Sequence, residues 1–256
     1  MLTLEVVLLL VAIALFAGIG ITAIGPGGVF VTIALFVLVP ISSATVAGTA
    51  SATFVATGIL GTLIYHRSGE FTHGRVREMA ILLAGASGIG AIVGAWINIA
   101  TPDRLFAIVL GTFVFAIGVL VLYRELVGIE PADHFAHRSV TSRRLLIVGM
   151  GIGIGFLGGM LGVGGPVIAV PILVALGVPM LFALAISQVQ SVVISGVATI
   201  GYASVGAISW PLVLLVGIPQ LVGVLVGWRI AHRVDPRRLR IALGLVLIGI
   251  GPFLAI

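Results

Sequence analysis

Residues 23–40 read "AIGPGGVFVTIALFVLVP". Gly25, Pro26, Gly27 and Gly28 stand where an apolar run of membrane length would otherwise continue. Glycine and proline both oppose a helix interior, so the helix entering this stretch must stop and another must begin just beyond it. The same event recurs in residues 160–179, "MLGVGGPVIAVPILVALGVP", where Gly162, Gly164, Gly165 and Pro166 form the interruption. The leading glycines of the two clusters, Gly25 and Gly162, are 137 positions apart.

The surrounding composition fixes the solvent. Of 256 residues, 60% are hydrophobic and 8% charged, against about 25% charged in a soluble domain. Apolar runs recur at 5–24, 43–65, 78–97, 104–123, 145–160, 181–205, 211–228 and 238–256. Several reach the roughly 20 residues that cross a bilayer. Backbone groups in lipid must be satisfied within the segment, so these runs are helices. The first run lacks a basic leader and carries Glu5, which predicts a retained span rather than a signal peptide. There is no cysteine, hence no disulfide or thiol chemistry.

The net charge of +5 comes from arginine, since the chain has no lysine. A basic balance can mean nucleic acid, but here the arginines have a simpler use. Twelve of the 13 fall in 66–77, 124–144 and 229–240, and the positive-inside rule places these loops in the cytoplasm. The 98–104 and 205–210 loops and both termini then face outside.

The halves correspond beyond the glycine clusters. "LIYHRSGEF" (63–71) matches "TIGYASVGAI" (199–208) through Tyr65 with Tyr202 and Gly69 with Gly206, and "TPDRL" (101–105) matches "DPRRL" (235–239). Equivalent loops carry opposite charge: 66–77 is basic while 205–210 has no charged residue, and 98–104 has one arginine where 229–240 has five. Matching loops on opposite sides mean inverted repeats. The expected fold is an all-α polytopic membrane protein of two inverted-topology repeats, residues 1–127 and 145–256, joined by a cytoplasmic linker at 128–144. Each repeat has four long hydrophobic helices plus a short Gly-broken half-helix (27–39 and 164–177). Inversion requires an odd number of crossings per half. Five result if the short segment crosses with tilt, three if it pairs with its predecessor as a re-entrant hairpin.

Inverted repeats with broken helices mark secondary transporters, with the substrate near the midplane. A segment such as 27–39 reaches only about 20 Å, short of the roughly 30 Å hydrocarbon core, so its N-terminus lies inside the membrane. Free N–H groups and the helix dipole there favour an anion, and glycine lets the backbone approach it closely. The candidate substrate-binding residues are therefore Gly25, Gly27, Gly28, Gly162, Gly164 and Gly165. Thr49, Ser51, Ser187, Gln188, Gln190 and Ser191, on the segments that follow the breaks, are the neutral donors expected to complete the shell. The alternative reading of the glycines is close helix packing, which accounts for Gly90, Gly94, Gly111 and Gly118. Tyr65 and Tyr202 fit either the site or an interfacial anchor.

Other chemistry has little support in the residues. "GIGFLG" (153–158) fits G-x-G-x-x-G but follows no strand and has no acid about 20 residues on, so no dinucleotide is expected. Every Asp and Glu is at the end of an expected span or in a loop, which argues against a carboxylate proton relay. The histidines lie in or beside cytoplasmic loops, where His134 and His137 read as solvated side chains rather than a metal pair. No cofactor, metal or enzymatic activity is expected.

The glycine motifs in this order resemble the TauE/SafE sulfite exporter family of membrane permeases. The resemblance is carried by "GPGGVFVTIALFVLVP" (25–40), "GTAS" (48–51), "YHRSGEF" (65–71), "GVGGPVIAVPIL" (162–173) and "GYASVGAISW" (201–210). It implies transport of sulfite, thiosulfate or a small organosulfonate, by export or uptake. The competing class is a passive anion channel or a structural membrane subunit. Expected partners are a small anionic substrate and the lipid bilayer, with no nucleic acid and with a homodimer left open.

Overall fold

The computed structural model describes residues 2–127, 139–233 and 237–255. The expected linker falls largely on 128–138, outside the described residues, as do His134, His137 and Asp235. In chain order the helices are α1 (Leu4–Ala23), α2 (Val29–Leu38), α3 (Ser43–Ser68), α4 (Gly74–Ile99) and α5 (Asp103–Val127). They continue with α6 (Val140–Leu161), α7 (Pro166–Ala175), α8 (Met180–Ser204), α9 (Trp210–Ala231) and α10 (Arg237–Ala255). Short 3-10 turns occupy Pro26–Gly28 and Glu70–Thr72. There is no strand among the described residues. Seven helices (α1, α3, α4, α5, α6, α8 and α9) are long and apolar enough to cross a membrane. In α10 the apolar part is the shorter stretch Arg240–Leu254.

Local chemistry sets the helix ends. Thr3, Ser42 and Ser139 cap α1, α3 and α6 by accepting from the amides of Val6, Thr45 and Ser142, a hydroxyl satisfying a first-turn N–H. At the other ends Gly69 and Gly162 take left-handed conformations with φ 96° and 63°, which glycine adopts without a Cβ penalty. The short helices α2 and α7 have 10 residues each, about 15 Å by helical rise. Both are shorter than read from sequence. Gly27 and Gly28 are spent in a 3-10 turn before α2, and the chain leaves α7 ahead of Gly177 at φ 92°. Pro166 opens α7, where a missing N–H costs nothing.

The helices pack in a pattern that crosses between the halves. α1 lies against α9 and α4 against α6; α3 pairs with α8 and α5 with α10; α8 also covers α4, and α9 covers α3. Small residues allow these approaches, since in lipid close backbone contact is what drives association. A methyl group on Gly90 or Gly94 would collide with the carbonyls of Ile152 or Phe156 in α6. One on Gly223 or Gly227 would collide with the carbonyls of Leu15 or Ile19 in α1. Gly118 sits in the same way against Gly244 and Ile248 of α10, and Gly251 of α10 against the Gly111 carbonyl.

The charged residues correct one boundary. Glu125 was read as a loop residue, but α5 runs through Val127 and Glu125 lies in its last turn, 7% exposed. Its carboxylate meets Arg240 Nε at 2.6 Å and Arg124 at 3.7 Å, which holds the helix together past the apolar run. Glu78, inside α4, binds Arg144 at 2.8 Å and Arg143 at 3.7 Å. Glu5 and Asp103 stand in the first turns of α1 and α5. Glu70 is also buried, in the 3-10 turn after α3.

Candidate functional site

Both interrupted helices end on a tyrosine. The Tyr65 hydroxyl of α3 donates to the Thr22 carbonyl in the last turn of α1 at 2.6 Å. The Tyr202 hydroxyl of α8 donates to the Gly159 carbonyl in the last turn of α6 at 2.8 Å. Each pair spans 43 positions, and both tyrosines are fully buried. They are pins within the protein, not interfacial anchors, because the hydroxyl finds its partner in a backbone carbonyl instead of water.

Beyond the pins each break is seated against the short helix that follows the other. Gly25 turns with φ 100°, and a Cβ there would press on Val170 of α7 at 2.6 Å. Gly162 presents its carbonyl to Thr32 Oγ1 of α2, at 2.6 Å, and packs on Ala47 of α3. Gly27 doubles back against Gly20 of α1, so α2 returns along the helix that precedes it. The starts of α2 and α7 thereby come together around one side chain, Phe54 of α3, which contacts both Gly28 and Gly164.

The candidate residues divide by where they land. All 12 are buried. Gly28, Gly164, Gly165, Ser187 and Ser191 gather at the junction of the breaks, with Gly165 facing the Ser187 carbonyl and the Ser191 amide. Gln188 lies against Gly61 of α3, and neither of its amide atoms has a hydrogen-bond partner among the described residues. Gln190 points away, its Nε2 donating to Ser87 Oγ of α4 at 2.7 Å. Thr49 Oγ1 accepts from the Ser209 amide at 3.0 Å, near the start of α9. Ser51 is buried in α3, and Gly25 and Gly27 line the turn itself. Ser187 Oγ is turned back onto its own helix, donating to Leu184 O at 2.8 Å.

The second break has free donors. The amides of Gly164 and Gly165 donate to no acceptor among the described residues, although both residues are buried. Buried N–H groups are almost always paired, and a helix start without partners asks for a ligand. The residues missed in the sequence are Phe54, Thr32, Ser87 and Gly61. Phe54 was findable, because it lies 137 positions before Ser191, the same separation as the glycine clusters. Gly61 and Ser87 carried no such signal.

Two open cavities lie away from this junction. One of about 190 Å³, lined by His73, Arg75, Val76, Met79, Val178 and Phe182, opens where α4 begins and α7 meets α8. Another, of about 460 Å³, adjoins Ser68, Glu70, Pro179 and Met180. Among the described residues no group of three or more His, Cys, Asp or Glu gathers as a metal site.

An all-helical, multi-pass protein with two interrupted helices seated against each other at its core belongs to the class of membrane transporters. The family is specific: the chain belongs to the sulfite exporter TauE/SafE family, whose model matches residues 10–254. It is a transporter and not an enzyme. No curated protein and no solved structure gives a significant match.

Proposed function

We propose that the protein is a secondary transporter for a small sulfur-containing oxyanion, such as sulfite, thiosulfate or an organosulfonate, bound between the two glycine breaks. The observation that carries this reading is the pair of free amides at Gly164 and Gly165, buried at the start of α7 beside Ser191. They supply the donors an oxyanion needs at a helix N-terminus. None of the described residues that meet at this junction is an arginine, so backbone dipoles and neutral hydroxyls hold the anion. Binding of that kind is weak enough to permit release.

The two repeats, residues 1–127 and 145–256, are inverted in this reading. Contacts recur at the repeat spacing: Tyr65 to Thr22 is matched by Tyr202 to Gly159, and Gly28 on Phe54 by Gly165 on Ser191. Each interrupted helix with its short partner forms a hairpin, one from either face. The arginine-rich ends face the cytoplasm and both termini lie outside. Alternating access then moves the hairpins relative to α3 and α8 around a fixed central site. The tight packing at the breaks favours a carrier over a permanently open pore.

The test is counterflow in proteoliposomes. Vesicles loaded with unlabelled sulfite or thiosulfate should accumulate the labelled anion transiently above its equilibrium level. A simple decay to equilibrium would assign a channel, and no flux of any sulfur oxyanion would overturn the substrate class.

A further inference from the structure

At the junction of the breaks the two halves differ in the side chain that meets the glycines. Phe54 is 1% exposed. A Cβ on Gly164 would stand 3.3 Å from Phe54 Cγ, and one on Gly28 would stand 2.9 Å from Phe54 Cε1 and 3.2 Å from Cζ. The ring therefore lies lengthwise, its root at the second break and its tip at the first. The equivalent position in the second half is Ser191, whose backbone amide would stand 2.9 Å from a Cβ on Gly165. Its hydroxyl would stand 3.2 Å from a Cβ on Gly164.

The difference has a physical meaning for the proposed site. A hydroxyl donates to an oxyanion, and a phenyl ring does not. The ring instead occupies the space that both glycines leave open by lacking a side chain, and it screens that space from water. Apolar constrictions of this kind close a permeation path by excluding water and ions.

We propose that Phe54 is the gate of the central anion site. Its ring fills the junction in the resting state and swings out from between Gly28 and Gly164 to admit the substrate, leaving Ser191 and the Gly164 and Gly165 amides exposed to it. This rests on the anion-transport reading above, but it makes a claim of its own about access. Volume at position 54 sets which anions enter: a smaller side chain admits anions the native protein rejects.

The chain has no cysteine, so a single reporter can be placed at the junction. Ser191→Cys should react slowly with a small methanethiosulfonate reagent in the purified full-length protein. Adding Phe54→Ala should raise the rate by at least about tenfold, because thiol reactivity follows access. Phe54→Leu, which keeps more of the packing, serves if the alanine variant does not fold, and should give an intermediate rate. In proteoliposomes Phe54→Ala should introduce a leak of nitrate where vesicles with the native protein stay tight. Equal labelling rates with and without Phe54 would overturn the gate, as would vesicles that stay tight to nitrate. The labelling needs no transported substrate. A native protein that moves no sulfite or thiosulfate would therefore sink the substrate assignment and leave the gate to be judged separately.

Discussion

The two hairpin tips are pinned alike and flanked differently. At one, Tyr65 binds the Thr22 carbonyl, the His232 ring stands 5.9 Å from the Tyr65 ring, and His232 Nε2 meets Glu70 Oε1 at 2.8 Å. Trp228 closes the corner by donating Nε1 to Ser68 Oγ at 2.9 Å. At the other, Tyr202 binds the Gly159 carbonyl, and its neighbour is the neutral Asn98, whose Nδ2 donates to Met160 O and to the Tyr202 hydroxyl. What the tips share sets the position of the glycine breaks. What differs sets their surroundings: ionisable groups at the arginine-rich end, a neutral amide at the opposite end. Function that depends on the site should therefore respond alike to changes in either pin.

The strongest perturbation of the shared frame is steric. Gly90→Val and Gly227→Val each drive a branched side chain into the facing backbone of α6 or α1. Each should destabilise by about 3 kcal/mol or more, read as loss of a monodisperse peak in size-exclusion chromatography. If one is tolerated and the other not, the two interfaces are not equivalent.

A finer break in the comparison comes from the pins. Tyr65→Phe and Tyr202→Phe each leave a buried carbonyl without its donor and should cost about 1–2 kcal/mol. Thermal melts of the detergent-solubilised protein should show similar shifts for both. A large shift for one alone would mean that only one tip is held by its tyrosine.

The flanks should separate the ends. Glu70→Gln removes the carboxylate that meets His232 at a buried corner and should lower stability by about 1–3 kcal/mol. Asn98→Ala takes the amide donor from Met160 O and from the Tyr202 hydroxyl, leaving Met160 O only the longer Tyr202 contact at 3.3 Å, and should cost a similar amount. Thermal melts that move for one variant alone would show that only one corner supports its tip. The smallest effect belongs to Glu78→Gln. Its partners Arg143 and Arg144 lie on a part-exposed face, so the loss should stay within about 1 kcal/mol and transport should be preserved.

Much of the architecture was readable because the membrane restricts the options. Long apolar runs admit only helices, and Gly25–Gly28 and Gly162–Gly165 marked where those helices stop. The burial of Glu70 was not readable. Its partner His232 is 162 positions away, and nothing local announces a pairing across that distance. Gln190 was read as a binding amide, whereas its Nε2 is bonded to Ser87; periodicity says which residues are buried, not which neighbour they face. Gly165→Val would not act on anion binding alone. With a Cβ only 2.8 Å from the Ser187 carbonyl and 2.9 Å from the Ser191 amide, it would also displace α8. Gly28→Ala is the cleaner probe, since its contact is the yielding edge of Phe54.

The most direct measurement is to locate the anion. Selenite has the shape and charge of sulfite and scatters anomalously, so a crystal of the protein soaked in it should show one anomalous peak. That peak should lie within hydrogen-bond reach of the Gly164 and Gly165 amides and the Ser191 hydroxyl, with the Phe54 ring moved aside. A peak at the His73 and Arg75 cavity instead, with the breaks still closed on Phe54, would contradict a central site between the two glycine clusters.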